Sequence, residues 1–197
     1  MIFIPRKLMF VIIILLVAAL IIPVALKTYD YVLRLRYPVK YMDIIEKYTG
    51  EYGIDPYFVL AIIKAESSFN PKAVSNKGAK GLMQIHPDTG EWIAKNIGLD
   101  GYKEDVLLDP EINVRMACWY LNNLNKQFKD PVSVLAAYNA GSGNVKKWLS
   151  DEKYSRDQNK LEYIPFKETR DYIERITKNY QMYKRIYEGT KERGQLK

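Results

Sequence analysis

Apolar positions follow two regimes along this chain. From Leu8 to Leu26 they are continuous, a nineteen-residue run with no charge (LMFVIIILLVAALIIPVAL). Wound as an α-helix, that run reaches ~28 Å, close to the hydrocarbon thickness of a bilayer. Pro23 near its end is tolerable in a membrane helix. A cleaved signal peptide is the rival reading, with an apolar region of about 7–15 residues ending at a small-residue site. The run is longer than that, and Pro23-Val24-Ala25-Leu26 matches such a site poorly. An uncleaved, single-pass anchor is favoured. Arg6 and Lys7 precede the span, so the positive-inside tendency puts residues 1–7 in the cytoplasm and residues 27–197 outside. Lys27, Arg34 and Arg36 follow it and weaken that asymmetry.

Past the span the pattern becomes helical. Residues 27–40 read as a juxtamembrane stalk broken at Pro38. Tyr41, Ile44, Ile45, Tyr48 and Tyr52 recur at helical spacing, and Gly53 closes that helix. Asp-Pro pairs open three more helices at Asp55-Pro56, Asp109-Pro110 and Asp130-Pro131, because Asp caps and Pro is preorganised for the first helical position. The first carries Val59, Ile62, Ile63 and then Glu66 on one face, and Asn70-Pro71 ends it. Residues 72–87 are loop-like, and a short helix follows over residues 88–96. The helix from Pro110 puts Val114, Ala117, Cys118, Leu121, Leu124 and Phe128 on one face. The helix from Pro131 stops at Gly141-Ser142-Gly143, and another carries Val145 and Trp148. Residues 150–163 are polar and irregular. Residues 168–187 form a last helix with a stripe of Tyr172, Ile176, Tyr180, Tyr183 and Tyr187. The tail, residues 189–197, is polar. The fold class is mainly α.

Charge and composition narrow the chemistry. Residues 27–197 carry 28 Lys and Arg against 23 Asp and Glu, scattered rather than grouped. This mild basic excess favours acidic surroundings, but no motif supports nucleic acid as a partner. One cysteine allows no internal disulfide, and Cys118 on a helix face is a core residue. A single histidine, His86, cannot build a Cys/His zinc cluster with it, and no calcium-type loop is present. No metal or other cofactor is expected.

Glu66 is the candidate for chemistry. It continues an apolar stripe and sits near a helix C-terminus. Desolvation and the negative end of the helix dipole both raise a carboxyl pKa, as a general acid for glycosidic cleavage requires. The bland alternative is a boundary Glu that reaches solvent or pairs with a Lys. On helical phase alone that alternative is the better one.

Four blocks shift the balance. Ala65-Glu66-Ser67-Ser68-Phe69-Asn70-Pro71 comes first. Ser75 follows, with Gly78-Ala79-Lys80-Gly81-Leu82-Met83-Gln84-Ile85. Then come Ala137-Tyr138-Asn139-Ala140-Gly141 and Ile164-Pro165-Phe166-Lys167-Glu168-Thr169-Arg170-Asp171-Tyr172. In this order they resemble the soluble-lytic-transglycosylase domain of the lysozyme-like superfamily, over about residues 41–187. The resemblance implies a lysozyme-like domain, related to goose-type lysozymes, over residues 41–188. It implies Glu66 as the single catalytic acid and Ser75 and Gln84 on a loop contacting muramic acid. It implies Tyr138 and Asn139 facing the same sugar, and Glu168 lining the cleft and binding substrate. The partner it implies is the peptidoglycan glycan strand. The reaction is cleavage of the MurNAc–GlcNAc bond without water, closing a 1,6-anhydro ring. Lysozyme-type hydrolysis on the same fold and a wall-binding protein without activity are the rivals. The chain departs from the family at His86, where Met is frequent, and at Ala117, where Gly is.

Overall fold

A computed structural model describes residues 5–189. Helix α1 spans Arg6–Arg36, α2 Met42–Tyr52, α3 Pro56–Glu66 and α4 Pro87–Ile97. A 3₁₀ turn at Glu104–Leu108 precedes α5 (Pro110–Gln127), α6 (Pro131–Ala140), α7 (Ser142–Leu149) and α8 (Lys167–Tyr183), which runs into a π-helical turn at Lys184–Glu188. Among the described residues the extended pairing is limited to isolated bridges of Lys80 with Val74 and with Ile85.

Local chemistry explains most of the helix boundaries. The carboxylate of Asp55 accepts from the Tyr57 amide at 2.8 Å, that of Asp109 from Ile112 at 2.9 Å, and that of Asp130 from Ser133 at 3.0 Å. Each satisfies an orphan donor of the first turn, and each is followed by the Pro that supplies a helical φ. Gly53 ends α2 in the left-handed region.

Helix α3 is the centre of the domain. Val59, Leu60, Ala61, Ile62 and Ile63 are all fully buried, so α3 is enclosed on every side rather than along one stripe. Each large aliphatic side chain there contributes roughly 1.5–3 kcal/mol of burial. Helix α8 lies along α3 and turns Tyr172, Ile176 and Tyr183 inward. The Tyr180 hydroxyl donates to the capping carboxylate of Asp55 at 2.7 Å, tying the start of α3 to the end of α8. Cys118 is buried in α5, and burial pushes its thiol up to about 12, which keeps it protonated and inert.

Two boundaries differ from the sequence expectation. Helix α3 stops at Glu66, not at Asn70, because Ser67 leaves the helical region and the next two residues, Ser68 and Phe69, take positive φ. Helix α1 does not end with the apolar run. It continues about ten residues past Leu26 to Arg36, a further ~15 Å. The segment expected as a stalk is therefore helical over most of its length, and its end is docked on the domain. The Tyr187 hydroxyl donates to the Tyr37 carbonyl at 2.8 Å and the Tyr183 hydroxyl to that of Pro38 at 3.0 Å. The Lys64 ammonium donates to the Arg36 carbonyl at 2.6 Å. Of the expected tail, residues 190–197 lie outside the described residues.

Helix α1 is long and apolar enough to cross a membrane. Its best window has a mean hydropathy of 3.3, and none of that window is buried against the domain. A signal sequence passes the same test.

Candidate active site

Glu66, Ser75, Gln84, Tyr138, Asn139 and Glu168 line one cleft of about 540 Å³. It opens between the loop over residues 72–86 and the ends of α3, α6 and α8. All six residues singled out in the sequence are thus brought together, although they come from four separate stretches of chain.

The loop anchors itself in the core through Leu82, Met83 and Ile85, and other elements hold its backbone. Asn113 of α5 is fully buried beneath it. Its Oδ1 accepts from the Met83 amide at 2.8 Å, and its Nδ2 donates to the carbonyls of Lys80 at 3.0 Å and Leu107 at 2.8 Å. The Ser67 hydroxyl at the end of α3 donates to the Leu82 carbonyl at 2.8 Å. The Tyr138 hydroxyl of α6 donates to the Met83 carbonyl at 2.8 Å. Three helices therefore satisfy the backbone of one short stretch, which fixes it against the cleft. Gly81 is required where the loop meets Asn113. Its φ is +82°, and a Cβ there would lie 2.1 Å from the Leu107 carbonyl oxygen.

Glu66 is the last residue of α3, half-buried at the base of the cleft. Burial pushes its carboxyl up from 4.5 to about 7. The hydroxyl of Tyr172 and the positive charge of Arg175, both on α8, oppose the rise. Tyr172 is itself buried, and its hydroxyl approaches the carboxyl without closing a well-aligned hydrogen bond. Burial, reinforced by the Glu66 charge, holds the phenols of Tyr138 and Tyr172 well above their ordinary range. Neither phenol gives up its proton near neutral pH, which leaves Glu66 as the titrating group at the base of the cleft.

The remaining residues play different parts. Ser75 caps its own turn, its Oγ accepting from the Ala79 amide at 3.0 Å. Gln84 has a positive φ, and its side-chain amide donates to the carbonyls of Gly81 at 2.9 Å and Ala73 at 3.2 Å. It braces the loop while lining the cleft. The Thr169 hydroxyl donates to Asn139 Oδ1 at 2.8 Å, which orients the amide at the end of α6. Glu168 is exposed, in the first turn of α8, and pairs with Lys77 at 3.3 Å. Two carboxyls in one cleft thus have opposite surroundings, one desolvated and one solvated and paired. His86 also lines the cleft, with Nδ1 3.7 Å from the Asp88 carboxylate.

Sequence reasoning missed Asn113, Tyr120 and Tyr172. Asn113 carried a signal, being a polar residue one position from the apolar stripe of α5. Tyr172 closes the fourth sequence block but reads there only as part of a core stripe, and Tyr120 carried no signal beyond its helical phase. Among the described residues no three His, Cys, Asp or Glu side chains gather at metal-ligand spacing.

Comparison with known proteins places this architecture. The model of the transglycosylase SLT domain matches residues 43–161. The chain is 38% identical over 171 residues to the soluble lytic murein transglycosylase of Escherichia coli K12, covering 85% of the chain and 26% of that protein. It is 36% identical over 124 residues to the membrane-bound lytic murein transglycosylase C of Shigella sonnei, covering 58% of the chain and 34% of that protein. Among solved structures, an inactive Glu-to-Gln variant of the lytic transglycosylase Slt of Pseudomonas aeruginosa superposes with a TM-score of 0.68 at 30% identity, over 78% of the chain and 25% of that structure. The chain therefore spans about a quarter of the length of its soluble relatives. The expected helical, lysozyme-like fold is the one these relatives share, and this chain belongs to the transglycosylase SLT domain family.

Proposed function

We propose that the chain is a membrane-anchored lytic transglycosylase that cuts peptidoglycan glycan strands between N-acetylmuramic acid and N-acetylglucosamine. Helix α1 is its single-pass anchor, with residues 1–7 in the cytoplasm and the domain of residues 41–188 outside. The observation that carries the reading is the desolvated carboxyl of Glu66, raised to about 7 at the base of a cleft whose other lining acid is exposed and paired with Lys77. Relatives named as lytic murein transglycosylases, one of them membrane-bound, support the substrate and the location. The inactive Glu-to-Gln variant among the solved relatives supports a Glu at the centre of the chemistry.

Glu66 then works twice. Protonated, it gives its proton to the oxygen joining the two sugars as the bond to muramic acid C1 breaks. The carboxylate left behind takes the proton of the muramic acid C6 hydroxyl, and that oxygen bonds to C1. A glycosidic C–O bond is exchanged for an internal one, a 1,6-anhydro ring forms, and no water is consumed. Most glycosidases need a second carboxyl as base or nucleophile. Here the substrate's own hydroxyl takes that place. Ser75, Gln84, Tyr138 and Asn139 hold the muramic acid unit, and Glu168 binds substrate at the exposed rim.

The test is product analysis. The full chain in detergent micelles is incubated with sacculi, and the released fragments are weighed by mass spectrometry. Anhydro ends, one water lighter than reducing ends, are expected, and Glu66→Gln should release none. Reducing ends alone would replace transglycosylation with lysozyme-type hydrolysis. Unchanged activity in Glu66→Gln would remove Glu66 from the mechanism.

A further inference from the structure

A line of aromatic rings leads out of the cleft. Tyr120 lines the cleft and its ring lies 5.7 Å from that of Tyr138, beside Glu66. On its other side the Tyr120 ring meets Trp92 edge-on, 6.1 Å between centroids and 78° between planes. Trp92 is also met by Trp119 at 5.3 Å. Of the three tryptophans, Trp92 alone is exposed, with 44% of its surface in contact with solvent. It stands one helical turn beyond Thr89 on α4, and Thr89 is itself a wall of the cleft.

We propose that Trp92, backed by Trp119 and Tyr120, is a platform for a hexosamine ring of the glycan strand lying beyond the sugars held at Glu66. This rests on the reading of the cleft as a glycan site. A β-linked pyranose with equatorial substituents presents a flat, apolar C–H face, and an indole presents a flat, apolar face of similar width. An aromatic ring with a polar tip suits a surface that is wet on one side and buried on the other. Two edge-on neighbours hold the Trp92 ring, so seating a sugar on it costs little side-chain ordering. The continuity of the rings through Tyr120 identifies the occupant as the strand that already fills the cleft. A membrane surface is the competing occupant of an exposed Trp. It is disfavoured because α4 rests on α5 and the 3₁₀ turn, whereas the anchor docks on the α3 and C-terminal side.

The platform predicts a dependence on strand length. Full chain in detergent micelles is assayed on peptide-free glycan strands fractionated by size, with Trp92→Ala and Trp92→Tyr beside the native protein. For long strands Trp92→Ala should raise KM by about 2- to 10-fold with kcat retained, the loss of one aromatic stacking contact. Trp92→Tyr should recover most of it. On the shortest strands that are cut at all, the variants and the native chain should be equal. Calorimetric binding of long strands to Glu66→Gln, with and without Trp92→Ala, should show the same factor without turnover. Should Trp92→Ala not fold, Trp92→Gln carries the test at this exposed position. An unchanged KM on long strands, or an equal loss at every length, overturns the platform while leaving Glu66 in place. Failure of the native chain to bind or cut strands of any length overturns the glycan reading itself.

Discussion

The Tyr138 hydroxyl donates to the Met83 carbonyl across 2.8 Å, joining residues 55 positions apart, one near the end of α6 and one in the loop over residues 72–86. One hydrogen bond thereby sets the gap between the end of α6 and the loop, and holds the Tyr138 ring beside Glu66. Tyr138→Phe keeps the ring and removes the bond, leaving the Met83 carbonyl without that donor. Denaturant unfolding should show a loss of about 1–2 kcal/mol. Because the loop would relax relative to Glu66, kcat on glycan strands should fall about tenfold or more, a larger change than in KM.

Glu66 makes activity and stability respond to pH in one direction. The general acid, the role proposed for Glu66, must be protonated, so the rate of cleavage should fall as pH rises through about 7. Stability follows the same proton. Below the ordinary carboxyl value of 4.5 the folded and unfolded chains both hold it, and Glu66 makes no difference. Between 4.5 and about 7 the folded chain keeps a proton that the unfolded chain releases, so stability declines with rising pH. Above that range the loss is complete, up to about 3 kcal/mol for the full shift. Glu66→Gln cannot ionise and should be the more stable protein at pH 8 and close to the native one at pH 4. Thermal unfolding of both at the two values checks this, and a native chain that gains stability from pH 5 to 8 relative to Glu66→Gln contradicts it.

Tyr172 and Arg175 restrain that shift. Tyr172→Phe deletes the hydroxyl that favours the Glu66 carboxylate, so the alkaline limb of the pH–rate profile should move to higher pH. Arg175→Gln should move it the same way by a smaller amount, since its charge is the lesser cause. A profile that moves to lower pH in Tyr172→Phe would show that the hydroxyl does not act on the carboxyl.

What the sequence made legible was local. The three Asp-Pro starts were readable because a cap and its amide lie two or three residues apart. Glu66 was suspect because helical phase put it beside Ile62 and Ile63. The cause of its shift was only half visible. Burial follows from phase, but the opposing groups Tyr172 and Arg175 lie more than a hundred residues away, and only the packing of α8 along α3 brings them in. The end of α3 was misplaced for the same reason, since the Ser67 hydroxyl turns to Leu82, a partner in another block. The break at Pro38 was legible, since α1 ends at Arg36 just before it, whereas the docking of Tyr183 and Tyr187 on the carbonyls of Pro38 and Tyr37 is a long-range event.

Gly81 tests whether the loop is held as tightly as its contacts imply. A methyl group there meets the Leu107 carbonyl oxygen at 2.1 Å and the Asn113 amide nitrogen at 2.3 Å, and its backbone is in the left-handed region. Gly81→Ala should cost about 2 kcal/mol or more, from strain added to lost loop bonds. Gly78 also has positive φ but stands in open space, so Gly78→Ala should cost about 1 kcal/mol. Unfolding midpoints of the two variants should therefore differ, with Gly81→Ala the lower and its cleavage the more impaired.

Glu168 separates a role toward substrate from a role in the fold. Its ion pair with Lys77 spans 3.3 Å with both side chains largely in solvent, and such pairs contribute about 0–1 kcal/mol. Lys77→Ala and Glu168→Gln should each leave the unfolding midpoint nearly unchanged. Their effects on strand cleavage should differ. Glu168→Gln removes a charged acceptor from the first turn of α8 at the rim of the cleft, and KM should rise about tenfold, as for loss of a charge-assisted hydrogen bond of about 1.5 kcal/mol. Lys77→Ala frees the same carboxylate, so KM should hold or fall. If Glu168 were instead the second carboxyl of a hydrolytic pair, Glu168→Gln would collapse kcat with KM retained, and the released ends would be reducing ones in the native protein. Steady-state kinetics on one batch of strands distinguishes the two patterns, because one places the loss in binding and the other in the chemical step.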